Sequence, residues 1–243
     1  MDKQSERAYY ELKRMMVEGS FAMDAKLPEA QLAKEFGLSR TPVRHALNRL
    51  EAEGFVVYEP RRGHRLRTFT AQDVEEIYGV RALVESEAVR LAALRELEPK
   101  TQSDLADLIA RMETVLANPD RFEPDEVRTR FLRLNHRFHA ELYASCGNRH
   151  LLRVIRQITE IPLVLRNYFN FSDEQLYESH RDHQSIYRAL RAREPDRAAA
   201  LTREHILAAR DRMLVADQAF GELGHQSSDE EEDWGAVLGA ARG

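Results

Sequence analysis

The sequence predicts a mainly α protein built from two domains, and three observations lead there. The chain has 243 residues, more than the roughly 100–200 that one typical domain uses. Its first 68 residues pattern as three short helices and a small hairpin, whereas about 150 residues from Ala71 onward keep helical periodicity with no credible strand. The composition, 43% hydrophobic, 32% charged and 8% aromatic, is globular and argues against a collagenous, disordered or membrane-embedded chain.

Ala8, Leu12, Met15 and Met16 recur at spacings of three and four, predicting a helix over 5–18 that Gly19 ends. A short connection through Pro28 leads to a second helix, 29–36, and Gly37 supplies the turn before a third over 41–53. In that third helix Val43, Leu47 and Leu50 share one face, and Pro42 occupies the first turn, where its missing N–H is not needed. Gly54 ends it. Phe55-Val56-Val57-Tyr58 is β-branched and aromatic, and after Glu59-Pro60-Arg61-Arg62-Gly63 the stretch His64 to Arg67 is expected to pair back on it.

Beyond Thr70 helices are predicted at 71–97, 101–116, 125–145, 148–171, 173–192 and 195–220. Pro99, Asn118-Pro119, Gly147-Asn148, Ser172-Asp173 and Glu194-Pro195 separate them. Pro162, inside the fourth, predicts a kink or a split. The expected second domain, 71–220, is therefore an all-α antiparallel bundle of six or seven helices. Residues 221–243 hold six acids against Arg242 and are expected to form an acidic disordered tail.

Charge is distributed unevenly. The net charge of -5 divides into +3 over residues 1–67 (13 Lys+Arg against 10 Asp+Glu) and -8 over the remainder. A basic segment on an acidic chain points to an anionic partner for the N-terminal part alone. No apolar run approaches the roughly 18 residues of a membrane span, and Met1 to Glu11 carries no export signal, so a cytoplasmic location is expected. A single cysteine, Cys146, excludes an internal disulfide and leaves any metal to nitrogen and oxygen ligands.

A short helix, a glycine turn and a helix opening Ser39-Arg40-Thr41-Pro42-Val43-Arg44 make the pattern of a helix-turn-helix, whose second helix enters the major groove N-terminus first. Arg40 and Arg44 share a face, and a guanidinium fork suits guanine O6 and N7, while the Ser39 and Thr41 hydroxyls can hold phosphates. The hairpin tip Arg61-Arg62-Gly63-His64-Arg65 has the size and charge of a wing. Solvation of an exposed basic face is the bland alternative. The candidate DNA-binding set is Ser39, Arg40, Thr41, Arg44, Arg49, Arg62, Gly63 and His64.

Leu32-Ala33, Phe36-Gly37-Leu38-Ser39-Arg40-Thr41-Pro42-Val43-Arg44, Ala46-Leu47, Leu50, Glu53-Gly54 and Gly63 together resemble the winged helix-turn-helix of the GntR superfamily of bacterial transcription regulators. The resemblance implies operator contacts from Arg40 and Arg44, and minor-groove contacts from Gly63 and His64. Ala30 stands where some members carry a further arginine.

The C-terminal part resembles the effector domain of the FadR branch, the FCD domain in its shorter, VanR-like form. That likeness rests on Arg81-Ala82-Leu83-Val84-Glu85, Asn135-His136-Arg137-Phe138-His139, Ala144-Ser145-Cys146-Gly147-Asn148, Ser179-His180-Arg181-Asp182-His183 and Arg203-Glu204-His205, spread over residues 71–218.

Asn135 and His139 are four apart on one predicted helix and so point the same way, while His183 and His205 lie mid-helix on two others. Three imidazoles converging with an oxygen ligand suit zinc or nickel with an open position; capped or solvated helix histidines are the alternative. The resemblance implies the metal set Asn135, His139, His183 and His205, although Asn135 replaces the aspartate of many members. It leaves His136 and His180 outside that set. It also implies that Arg81 holds a carboxylate effector, an organic or sugar acid, with Glu85 as its resting ion pair, and Arg137 and Arg133 are further candidates. The implied function is a homodimeric regulator of a palindromic operator, usually a repressor, and not an enzyme. A metal-dependent enzyme acting on a small organic acid and a non-specific DNA-binding protein are the competing readings.

Overall fold

The computed structural model describes residues 2–17, 20–22, 24–167 and 172–223, and the side chains of all of these except 124–125, 165–167 and 216–223. The described residues divide into two compact units: those within 2–70, 161–167 and 219–223 form one, and 71–160 and 172–218 form the other.

In the N-terminal part, helix α1 spans Lys3–Val17 and buries the predicted stripe of Ala8, Leu12, Met15 and Met16. Gly19, its expected stop, lies outside the described residues. Helix α2 (Glu29–Phe36) ends on Gly37 in the left-handed region, φ 64°, whose backbone N–H bonds the carbonyl oxygen of Lys34. That conformation reverses the chain tightly enough for the Leu38 N–H to reach the Ala33 carbonyl at 2.9 Å. An added Cβ at Gly37 would meet no atom, so Gly37→Ala isolates the backbone cost. It should destabilise this unit by about 1 kcal/mol, read as a lowered urea midpoint by circular dichroism. An unchanged midpoint would show that the turn does not depend on glycine.

Helix α3 (Arg40–Ala52) starts after Ser39, which sits at the cap position without a side-chain cap bond. Val43, Ala46, Leu47 and Leu50 are fully buried against Leu12, Met16 and Leu32. Each buried leucine contributes about 2 kcal/mol of transfer free energy, so this face fixes how α3 is presented. Strands β1 (Val56–Glu59) and β2 (Gly63–Leu66) pair antiparallel, with Val56 opposite Leu66 and Tyr58 opposite His64. The connection before α2, expected to be plain loop, adds to the free edge of β2. The Leu66 N–H bonds the Ala25 carbonyl and the Leu27 N–H the His64 carbonyl, both at 2.9 Å. This third, minimal rung covers an edge that would otherwise expose unpaired donors and acceptors.

The remainder is helical: α4 (Ala71–Leu94), α5 (Pro99–Ala117), a 3₁₀ turn (Pro119–Arg121), α6 (Pro124–Ala144), α7 (Arg149–Thr159), α8 (Pro162–Asn167), α9 (Asp173–Arg191) and α10 (Pro195–Leu223). Pro162 splits the fourth predicted helix, because proline can open a helix but cannot continue one. The short α8 belongs with the N-terminal unit and contacts α1. Asn148 caps α7 by accepting from the His150 and Leu151 N–H groups, and Ser172 with Gln175 forms a capping box on α9. In the bundle α5 packs on α6 and α9, and α4 on α6, α7 and α9. Helix α10 runs through 221–223, where the acidic tail was expected to begin; residues 224–243 lie outside the described residues.

Candidate functional site

Two constellations stand out, one in each unit. In the first, the N-terminal turns of α3 and the hairpin line a single groove of about 780 Å³, to which Lys26, Glu29, Arg40, Arg44, Asn48, Glu51, Arg62, Gly63 and His64 contribute. Ser39, Arg40, Thr41 and Arg44 are exposed, because the other face of α3 is committed to the core. At the wing, Arg61 (φ 70°) and Gly63 (φ 83°) both take left-handed backbone, which projects a tight tip. Arg62 extends from it and pairs with Glu59 at 3.4 Å.

Three residues behave differently from the sequence expectation. His64 is turned inward, its side chain 4% exposed, since strand alternation puts it on the same face as Leu66. It meets the Tyr58 ring edge-on, and burial pushes its imidazole below the usual histidine range. The side chain is thus packed into the wing instead of extended for a minor groove. Arg49 is likewise occupied, stacked 3.6 Å from the centre of the Tyr9 ring and bonded to Glu53 at 3.0 Å. Arg65 is tied to Asp24, its Nε donating to Oδ1 at 2.8 Å. Asn48, unnoticed in the sequence, sits in the groove one turn beyond Arg44, a spacing of four that was available to be read.

The second constellation lies within the helical unit. His139 of α6, His183 of α9 and His205 of α10 are all buried, and their donor nitrogens lie within 4.8 Å of one another. His139 Nε2 and His183 Nε2 are 3.2 Å apart. Two tetrahedral ligands at about 2.0–2.1 Å from zinc would stand roughly 3.3–3.4 Å apart, so the separation fits a shared cation. Burial and the neighbouring imidazoles hold His139 and His183 well below the usual histidine range, which keeps them neutral and able to coordinate.

The surrounding bonds fix the ring orientations. The Tyr143 hydroxyl donates to Glu85 and lies 2.9 Å from His139 Nδ1. His139 therefore donates from Nδ1 and keeps a lone pair on Nε2. His205 Nδ1 meets the Asp182 carboxylate at 3.1 Å, which leaves its Nε2 as the basic nitrogen. Among the described residues the Nδ1 of His183, which is buried, has no hydrogen-bond partner. Arg81 donates from Nε to Glu85 at 2.7 Å, both side chains being nearly inaccessible, and its guanidinium sits 4.6 Å from the Tyr78 ring centre. A buried chain thus runs from Arg81 through Glu85 and Tyr143 to His139.

Asn135 is buried one turn before His139, on the same face of α6. Arg137 does not join this cluster: two residues before His139 is the opposite face of a helix, and Arg137 is exposed, as are Arg133 and His136. His180 is buried but pairs with Gln184 at 3.2 Å.

A winged helix-turn-helix presenting arginines, followed by a helical bundle with a buried polar centre, defines a DNA-binding transcription regulator with a second, all-helical domain. Comparison with known proteins agrees. The pattern of the bacterial regulatory proteins, gntR family, matches residues 4–66, and that of the FCD domain matches residues 76–208. The chain belongs to the GntR family and carries an FCD domain. It is 31% identical over 88% of its length to the Nta operon transcriptional regulator of Aminobacter aminovorans, covering 97% of that protein. It is 28% identical to the HTH-type transcriptional repressor GlaR of Escherichia coli, over 82% of this chain and 90% of that one. Escherichia coli McbR/YncC shares the fold, with a TM-score of 0.67 at 21% identity, covering 89% of this chain and 99% of the other. The protein is a DNA-binding transcriptional regulator, which sets the enzyme reading aside, and operator DNA is its partner. Among the described residues no helix is long and apolar enough to cross a membrane.

Proposed function

We propose that the protein is a homodimeric repressor of a two-fold symmetric operator, controlled by a small organic or sugar acid that binds beside a divalent metal, zinc or nickel, in the domain over 71–220. In this reading His139, His183 and His205 hold the metal with Asn135, and an open coordination position takes the effector's carboxylate. The observation that carries it is the convergence of three buried imidazoles from three helices, two of them neutral, with Nε2 atoms 3.2 Å apart. The buried Asn135, on the same face of α6 as His139, supports a polar centre there. Arg81 enters as a positive charge already neutralised by Glu85, so it orients the centre in the resting state. Repression is the mode in the name of the GlaR relative. Control requires that the effector bind the two dimer geometries with different affinity.

Elemental analysis of full-length protein purified without chelator tests the metal. About one zinc or nickel per chain is expected, lost in His183→Ala. Clean absence from the wild type overturns the metal reading. A panel of small organic and sugar acids should then shift the melting temperature of the metal-loaded wild type and leave His183→Ala unmoved.

A further inference from the structure

Glu29, the first residue of α2, lies in the groove that faces DNA. Arg44 Nε donates to both of its carboxylate oxygens, at 3.1 and 3.0 Å, and Arg44 Nη2 donates to Oε2 at 2.9 Å. Arg40 Nη2 stands 3.8 Å from the same oxygen. The Glu29 side chain is 18% exposed against 55% for Arg44 and 64% for Arg40. The carboxylate is thus recessed between the two arginines, and the arginines project past it. A guanidinium has two edges that can bond bidentately. Glu29 occupies the side edge, Nε with Nη2, and leaves outward the end edge of Nη1 and Nη2, which matches guanine O6 and N7. The hydrogen bonds from Arg44 and the nearby charge of Arg40 hold the Glu29 carboxyl below the usual range, so it stays ionised.

We propose that Glu29 is a specificity-determining residue that positions the Arg44 fork for a base edge and makes the same groove unfavourable for a bare phosphate. The inference rests on the reading that α3 enters the major groove. Two consequences follow from one carboxylate. Holding the guanidinium in one orientation removes rotamer freedom that base recognition would otherwise have to order. Placing a fixed negative charge behind it weakens the sequence-independent attraction that supplies non-specific binding. Both effects widen the gap between a good site and random duplex.

The test compares full-length wild type, Glu29→Gln and Arg44→Ala on two probes: a duplex enriched from a random-sequence pool by the wild type, and the unselected pool. Glu29→Gln is nearly isosteric, and circular dichroism checks that it folds. It should bind the enriched duplex more weakly and the pool more tightly, so that their ratio falls roughly tenfold. Its binding to the pool should become more salt-dependent, with a slope steeper by about 0.9 as Arg44 is freed to neutralise a phosphate. An unchanged ratio, or equal weakening on both probes as a merely structural role would give, overturns the proposal. If Arg44→Ala leaves the ratio unchanged, the placement of α3 fails and takes this inference with it.

Discussion

Replacing Arg40 and Arg44 together by alanine will reduce binding of a selected duplex to the level of random duplex. Both arginines are exposed on the turns of α3 that open the groove shared with the wing. Each bidentate arginine–guanine pair discriminates by roughly 5- to 150-fold. Two lost pairs multiply to roughly 25- to 20,000-fold per half-site, and twice over on a two-fold symmetric site this reaches the specificity of a whole regulator, typically about 10³–10⁷. The fold should survive, because the buried face of α3, Val43, Ala46, Leu47 and Leu50, is untouched. Arg62→Ala makes the contrast: its exposed side chain sits at the wing tip and not on the α3 turns, and as a phosphate contact it should weaken selected and random duplex alike. Competition titrations at two salt concentrations read both effects. A double variant that keeps its preference for the selected duplex would move base reading elsewhere on the groove, to Asn48 first. Loss of affinity for both duplexes by the same factor would mean that these two arginines meet phosphates instead of base edges.

What could be read in advance was what local chemistry decides. Gly37 was legible as a turn because few other residues take a left-handed φ, and Pro42 as a helix opening because its missing donor is harmless there. Pro162 was legible as a break but not as which kind. Pairings made by tertiary closeness were not legible. Glu29 and Arg44 are fifteen positions apart, and nothing in their spacing couples them; the turn at Gly37 does. The inward His64 was in principle readable, because alternation from Leu66 puts it on the core face, yet its place in a basic tip suggested an outward reader.

The second site divides the same way. Asn135 and His139 share a face by simple helical arithmetic, and the same arithmetic removes Arg137, which two positions of about 200° turn away. The Arg81–Glu85 pair is an i, i+4 spacing and was expected as such. Tyr143 went unnoticed because its role exists only where α6 lies against α4. Convergence of His139, His183 and His205 from three helices likewise depends on packing that periodicity cannot specify; only the resemblance to a family pointed there.

Glu85→Ala should be the most damaging single change in the helical unit. Glu85 is 1% exposed, and accepts hydrogen bonds from Arg81 Nε at 2.7 Å and from the Tyr143 hydroxyl. Truncation leaves a guanidinium that is 4% exposed without its carboxylate. Removing one partner of a buried pair costs about 3–5 kcal/mol, because water does not replace the lost carboxylate at so inaccessible a site. For a unit of this size that is a fall in melting temperature of roughly 6–20 °C. Glu87→Ala on the same helix is the control, since Glu87 and Arg90 form an equally short pair at 2.7 Å with side chains 42% and 34% exposed. Water can replace that partner, so its loss should leave the melt almost unmoved. The damage from Glu85→Ala should also reach His139. With the Glu85 acceptor gone, the Tyr143 hydroxyl can turn its proton toward Nδ1, which would shift the His139 tautomer and place a proton on Nε2. If His139 holds the metal proposed above, loss of such a supporting bond should weaken its affinity by roughly 10- to 100-fold, and cobalt or zinc titration should show that drop for Glu85→Ala and none for Glu87→Ala. Equal melts for the two variants would mean that burial of the Arg81–Glu85 pair contributes nothing to the bundle.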